Sequence, residues 1–331
     1  MQTRPTFKAI ISNDAQEAAS FLRCGKLVAL PTETVYGLGA NALDESAVAG
    51  IFAAKNRPSF DPLIIHQSDP ERILRYALEV PAEAKKLADA FWPGPLTLVL
   101  PKRDIVPDLV SAGLKTVALR VPDHSLTRRV LEQLDFPVAA PSANPFGFVS
   151  PTSAQHVADQ LGERIDFILD GGDCRVGLES TIVGFTGGKT TILRKGGLPI
   201  EAIEALLGHP VAVRTHGSSR PEAPGMLSRH YSPGNKIALF GQLDEQTPHP
   251  PNSAWITFGG GGPGFSPPEQ DKPAVYNLSP DGNLAEAAQQ LFRVLRLMAA
   301  RKYDYVAVRL LPEEGLGRAI NDRLRRAAAT E

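Results

Sequence analysis

Four polar islands interrupt the apolar runs of the chain's first two-thirds: PTETVYGLGA (31–40), KNRPSFDPLIIH (55–66), PSANPFGFVSPT (141–152) and GLESTIVGF (177–185). Each falls at the end of a predicted strand and is bounded by Gly and Pro. Loops held there by a rigid α/β scaffold gather ligand groups. A buried strand has no use for Thr-Glu-Thr or Ser-Ala-Asn, so these residues most simply face a ligand. Turn capping by Ser, Thr and Asn explains any one island taken alone. Lys55 and Arg57 close a predicted helix, where cations complement the macrodipole. Beside a pocket the same pair would supply point and forked positive charge for a polyphosphate. The chain shows no nucleophile elbow and no Cys–His pair, so the chemistry expected is positioning and charge neutralisation, without a covalent intermediate.

Other motifs fail on context. GGKTT (187–191) resembles the end of a P-loop, but that pattern requires Gly where Val183 stands, and a hairpin is expected here. GLGANA (37–42) imitates a dinucleotide fingerprint, yet it follows the polar PTETVY and no ribose-binding βαβ unit comes after it. GGGGPG (259–264) is denied a helix by Pro263 and Pro267. The seven histidines are scattered, with no ligand spacing for zinc, and no protein metal ligand is expected.

The elements that must carry the islands can be read from periodicity. Strands are expected over 26–31, 62–67, 96–101, 116–122, 136–142 and 165–170, short and β-branched, with helices over 46–55, 81–91, 125–134 and 152–161. Two further strands, 181–185 and 190–196, flank Gly187-Gly188 as a hairpin. Residues 208–235 are rich in Pro, Gly and Ser and read as a linker longer than ordinary connections. Beyond it, strands at 236–240, 254–258 and 303–308, a helix around Leu284–Met298 and a last helix at 316–328 describe a smaller α/β domain. The tract 259–268 reads as a surface loop. The expected organisation is therefore 1–208, a linker 209–235 and a C-terminal domain 236–331.

The 331 residues are 43% hydrophobic and 21% charged, with net charge -1. That balance excludes a global basic field of the kind that coats nucleic acid. Two cysteines without CxxC spacing argue against a disulfide framework and a structural zinc site. No signal peptide and no run approaching ~20 apolar residues is visible, so a cytoplasmic protein with no membrane partner is expected.

Together, PTETVYGLGA, the Lys55/Arg57 pair with RPxxxPLIIH, PSAN with its following SPT, and LESTIV resemble the YrdC family. PGMLSRHYSP (224–233) is similar to the linker signature of its two-domain threonylcarbamoyl-AMP synthases. The resemblance runs in order over residues 8–233. It implies a YrdC-like twisted mixed sheet whose helices form a concave basic cleft, plus a smaller Rossmann-like C-terminal α/β domain. It also implies ATP-dependent synthesis of L-threonylcarbamoyl-AMP from L-threonine and bicarbonate with release of pyrophosphate, a nucleotidyltransferase reaction. That is the first step of threonylcarbamoyladenosine formation in tRNAs reading codons that begin with A. The implied cofactor is magnesium, brought with ATP, and the implied downstream partners are a threonylcarbamoyl transferase and tRNA.

Carried over position by position, the resemblance places Thr34, His66, Arg120, Ala140 and Ser180 around threonine and bicarbonate. It places Lys55, Arg57, Asp61, Thr116, Ser142, Asn144, Ser150, Arg194 and Tyr231 around ATP. Lys55, Arg57, Ser142 and Asn144 are the residues expected to act in catalysis. Tyr231 on the linker suggests a lid that excludes water. The chain departs from the family at Asp61, where Asn is usual, at Pro145-Phe146 after SAN, and at Leu227 after PGM. A carboxylate near phosphates is repulsive unless magnesium or Arg57 lies between. The alternatives are a YrdC-like RNA-binding module without adenylate chemistry, and a carbamoyl-adenylate enzyme of hydrogenase maturation. The second would need zinc-finger and acylphosphatase-like regions that the sequence does not show.

Overall fold

The computed structural model describes residues 9–214, 231, 234–244, 246–268 and 272–329. Of the expected linker, only 209–214, 231, 234 and 235 fall among them. The described residues form two compact units, one of 9–146, 150–175 and 179–214, the other of 147–149, 176–178 and 231–329.

The first unit runs β1 (Ile10–Ser12), α1 (Ala15–Arg23), β2 (Val28–Leu30), β3 (Gly37–Asn41), α2 (Glu45–Lys55), β4 (Ile64–His66), α3 (Pro70–Leu74), α4 (Ala82–Phe91) and β5 (Leu96–Pro101). It continues through α5 (Asp108–Ser111), β6 (Thr116–Arg120), α6 (Ser125–Glu132), β7 (Val138–Ala139), α7 (Ala154–Leu161) and β8 (Phe167–Leu169). The last elements are β9 (Thr181–Gly184), β10 (Thr191–Arg194), α8 (Ile200–Leu207) and β11 (Ala212–Val213). The strands make one mixed sheet of order β1-β8-β2-β3-β7-β4-β6-β5-β9-β10-β11.

Side chains alternate across each strand, so the two faces of this sheet have different fates. Leu38, Ala40, Ile65, Leu98, Leu119, Ala139 and Val183 point into the main core with residues of α2, α4, α7 and α8. Each fully buried Leu or Ile contributes about 1.5–3 kcal/mol, which settles which face is core. On the other face, α1 and α6 cover Val28, Leu30, Val138, Phe167 and Leu169. The central strands carry there only a small cluster, Ile64, Val99, Ala118, Ile182 and Leu193, to which no described helix contributes. That leaves room on this face for polar residues.

Three expectations meet the structure differently. The strand expected over 136–142 is regular only at Val138–Ala139, because Pro137 and Pro141 lack the N–H a ladder requires, although their carbonyls accept from Ala42 and Leu38 and the Ala140 amide donates to Ile64. GLGAN, not expected as a strand, is β3, pairing antiparallel with β2 and β7. Its glycines answer to packing: a Cβ on Gly39 would lie 2.9 Å from Val138 Cγ1 and one on Gly37 3.1 Å from Ala140 Cβ. The expected hairpin after Gly184 is present, β9 and β10 pairing antiparallel around a turn at Thr186–Gly188.

The second unit contains β12 (Lys236–Phe240), β13 (Ser253–Thr257), β14 (Phe265–Ser266), β15 (Ala274–Asn277), α9 (Leu284–Arg301), β16 (Tyr305–Arg309) and α10 (Gly317–Ala328), with strand order β12-β16-β13-β15-β14. All pairings are parallel except β14 with β15, so the tract 259–268 is not wholly loop: Phe265 and Ser266 form an edge strand. Asn283 caps α9 by accepting from the amides of Ala285 and Glu286. The helix buries Ala288, Leu291, Leu295 and Met298, as their spacing predicts, and Phe292 with them, whereas Leu284, expected in the same stripe, is half-buried at its first position. Tyr231, in a left-handed conformation (φ 66°), is buried with its ring stacked 5.4 Å from that of Phe292. The guanidinium groups of Arg323 and Arg326 lie 5.6 and 4.9 Å from the Tyr231 ring centre.

Candidate functional site

Register builds the site. His66 of β4 is paired with Val138 of β7 on one side and with Arg120 of β6 on the other. Thr97 of β5, one step beyond the Leu98–Leu119 pair, falls opposite Arg120; it is paired with Ile182 of β9, and Ile182 with Arg194 of β10. Residues in one transverse row share a face, so His66, Arg120 and Thr97 project from the side of the sheet that carries Ile64, Val99, Ala118 and Ile182; Arg194 joins the row across a register shift in β10. Gly37 and Ala140 pave the same side with almost no side chain.

Arg120 is buried. Its Nη2 donates to Glu33 Oε1 at 2.7 Å and to Thr34 Oγ1 at 2.8 Å, and its Nε reaches the Gly94 carbonyl at 3.4 Å. Nη1 makes none of these bonds. Thr34 Oγ1 also lies 2.7 Å from Thr32 Oγ1, which in turn donates to the Val35 carbonyl. His66 is buried beside Arg120, and its Nδ1 has no hydrogen-bond partner among the described residues. Burial, then the Arg120 charge, push its pKa down to about 3, so the ring is neutral. Ser180 Oγ lies 2.7 Å from Thr97 Oγ1, and Arg194 holds the Ser180 carbonyl with both Nε and Nη2, at 3.1 and 2.9 Å. Ser150 donates to Glu179 Oε1 at 2.8 Å.

A second group lies at the opposite end of β4 and β6. Asn56 takes a left-handed conformation (φ 52°, ψ 41°) that ends α2 between Lys55 and Arg57. Such a cap breaks the helical path, so Lys55 ends α2 on its buried face and Arg57 leaves the helix line. Lys55 Nζ donates to the carbonyls of Ser142 and Asn144. Its cation therefore binds the SAN loop and not its own helix terminus. Two of its three donors are thereby engaged. Burial, followed by the Arg57 charge, pulls the Lys55 ammonium well below its ordinary range, against the opposing pull of Asp61. Arg57 pairs with Asp61 at 2.8 Å, donates to the carbonyls of Asp61 and Pro62, and stands 6.0 Å from the centre of the Phe146 ring. Thr116 opens β6, four residues before Arg120. A strand rises about 3.3 Å per residue, which sets the two ends roughly 13 Å apart.

The structure thus gathers Thr34, His66, Arg120 and Ser180 at one end, while Ala140, whose amide bonds to the Ile64 carbonyl, sits opposite the start of β4, two residues away from His66. Lys55, Arg57, Asp61, Thr116, Ser142 and Asn144 meet at the other. Ser150 and Arg194, expected around ATP, bond to the Glu179–Ser180 segment. Tyr231 lies in the second unit, its ring on Phe292, Arg323 and Arg326. Sequence reasoning missed Glu33 and Thr97. Glu33 had a visible signal: a carboxylate between two threonines, in a stretch flanked by apolar strands, needs a buried cation.

Residues 20–196 match the Sua5/YciO/YrdC family, described as telomere recombination, and residues 198–329 match the threonylcarbamoyl-AMP synthase C-terminal domain. The chain belongs to the Sua5/YrdC family. A threonylcarbamoyl-AMP synthase of Pyrococcus abyssi is 44% identical over 318 residues, 94% of this chain and 93% of that one. One of Bacillus subtilis is 40% identical over 329 residues, 96% and 94% of the two chains. The crystal structure of P. abyssi Sua5 complexed with L-threonine aligns with a TM-score of 0.86 at 40% identity, covering 97% of each chain. The family match therefore spans both units, and the Sua5-type architecture accounts for the mixed sheet and the second α/β domain. Among the described residues of this Sua5/YrdC member, no helix is long and apolar enough to cross a membrane.

Proposed function

We propose that this chain is a nucleotidyltransferase that makes L-threonylcarbamoyl-AMP from L-threonine, bicarbonate and ATP, releasing pyrophosphate. The observation that carries the reading is Arg120: buried, fixed through Nη2 and Nε, with Nη1 left for a small carboxylate beside the neutral His66 and the hydroxyls of Thr34 and Ser180. Gly37 and Ala140 give the ligand space close to the sheet. The names of the full-length relatives support the same reading.

In this scheme the threonine amine adds to bicarbonate with loss of water, and a carbamate oxygen attacks the α-phosphorus of ATP. The phosphorus–oxygen bond to pyrophosphate breaks. Arg120 orients the amino acid by its carboxylate, while the remaining Lys55 donor and the Arg57 guanidinium face the charge of the nucleotide. Catalysis is alignment and charge stabilisation, with the groups prearranged by buried hydrogen bonds. ATP would enter as its magnesium complex, the ion riding on the phosphates; among the described residues no group of three or more His, Cys, Asp or Glu is placed to hold a metal. The product is a reactive acyl-adenylate, so a transferase that carries the group to tRNA belongs downstream.

Pyrophosphate release by the purified protein, with threonine, bicarbonate and magnesium omitted one at a time, tests this. Release that requires all three supports the proposal. ATP left intact with everything present would return the RNA-binding reading.

A further inference from the structure

Glu33 is almost wholly buried, and both its carboxylate oxygens are engaged. Oε1 accepts from Arg120 Nη2 at 2.7 Å, and Oε2 accepts from the Asp123 amide at 3.1 Å, just beyond the end of β6. An arginine has five donors in one rigid plane, so fixing one edge of the fork aims the rest. Here Nη2 and Nε are fixed by Glu33, Thr34 and Gly94, and Nη1 is what remains. Without the carboxylate, Nη2 would keep only the Thr34 hydroxyl, itself shared with Thr32. The plane of Arg120 would then be held only by the Thr34 hydroxyl and by the Gly94 carbonyl at 3.4 Å.

We propose that Glu33 is a positioning residue for amino-acid recognition: it holds the Arg120 guanidinium so that Nη1 is presented to the ligand's carboxylate. The inference rests on the threonine reading above. Glu33 belongs to the Arg120 end of the site, so its influence falls on threonine and not on ATP, whose proposed phosphate contacts lie at the other end of the strands. The same carboxylate offsets the charge that Arg120 brings beside His66, keeping a buried cation tolerable in the substrate's absence.

The test is steady-state pyrophosphate release by the full chain, with threonine and ATP varied separately, for wild type, Glu33→Gln and Glu33→Asp. Glu33→Gln should raise the threonine KM about ten- to hundredfold, the loss expected of one charge-assisted hydrogen bond, with the ATP KM within about twofold. Glu33→Asp should fall between. In an Arg120→Lys background, Glu33→Gln should change the threonine KM little further, because the two side chains act as one unit. An unmoved threonine KM, or threonine and ATP KM rising together with a falling unfolding midpoint, would reduce Glu33 to a structural role. If Glu33→Gln does not fold, Glu33→Asp decides: a wild-type threonine KM there overturns the proposal. A wild-type protein indifferent to threonine sinks both readings, whereas an active wild type with unmoved variants sinks only this one.

Discussion

Arg57 Nη2 lies 2.8 Å from Asp61 Oδ2, with only 5% and 2% of the two side chains exposed. A carboxylate expected to repel phosphate is thus paired with the cation proposed to attract it. Burial lowers the Arg57 pKa from its usual range while the Asp61 charge opposes that shift. Asp61→Asn keeps the shape and removes the charge. It should lower the KM for ATP by roughly three- to tenfold, by releasing Arg57 toward the nucleotide. Stability should fall by about 1–3 kcal/mol, less than for outright loss of a buried partner, since the amide still accepts a hydrogen bond. ATP titration and denaturant unfolding measure the two. A raised KM would place the carboxylate itself on the nucleotide's metal.

Lys55 is both a candidate phosphate contact and the anchor of the SAN loop. Lys55→Met keeps the stem and leaves the Ser142 and Asn144 carbonyls without their shared donor. A buried acceptor left unmade costs about 1–3 kcal/mol, and the Ser142 carbonyl is only partly buried, so unfolding should show a loss of roughly 1–4 kcal/mol. ATP turnover should drop at least tenfold. Loss of turnover with unchanged stability would mean that the lysine leaves these carbonyls in solution.

His66 gives a pH signature. Its pKa falls from 6.5 unfolded to about 3 in the fold, so between those values the unfolded chain binds the extra proton. Its contribution is complete above about pH 6.5 and declines as pH falls toward 3, by up to about 1.4 kcal/mol per pH unit. A His66→Asn variant should therefore lose less stability than wild type between pH 6.5 and pH 4, read by thermal unfolding across that range. Parallel curves for the two proteins would show that His66 titrates near its ordinary value.

Gly196 packs against the backbone that carries Ser180. A Cβ there would overlap the carbonyl oxygens of Glu179 and Ser180. Backbone cannot yield as a side chain end can, so Gly196→Ala should destabilise by about 1–3 kcal/mol. The shift should also displace the Ser180 hydroxyl from Thr97. The threonine KM should rise several-fold. A wild-type KM would show the segment free to shift without loss.

Much of both units is legible because its signals are local. The strands expected at 96–101 and 236–240 match residue for residue, and α2, α4 and α9 follow their apolar spacing. β3 escapes sequence reading because Gly-Leu-Gly-Ala has no β-branched residue and its glycines answer to neighbours from another strand. β7 reads as too long because an apolar run hides the effect of a proline at each end. The polar islands can be seen as polar strand-end loops, but not sorted into two ends of the sheet.

The sequence by itself determined which residue types were available: four polar islands at strand ends, cations at a helix terminus, and an apolar alternation that requires one buried face. Only the tertiary structure decided which cation meets which carboxylate and which row of the sheet they share. Glu33 and Arg120 stand 87 residues apart in the chain. No local propensity encodes that pairing; it follows from the connection between β2 and β3, which brings Glu33 over the end of β6. For the same reason the role of Lys55 as anchor of the SAN loop, 87 and 89 residues away, could be read only from the fold.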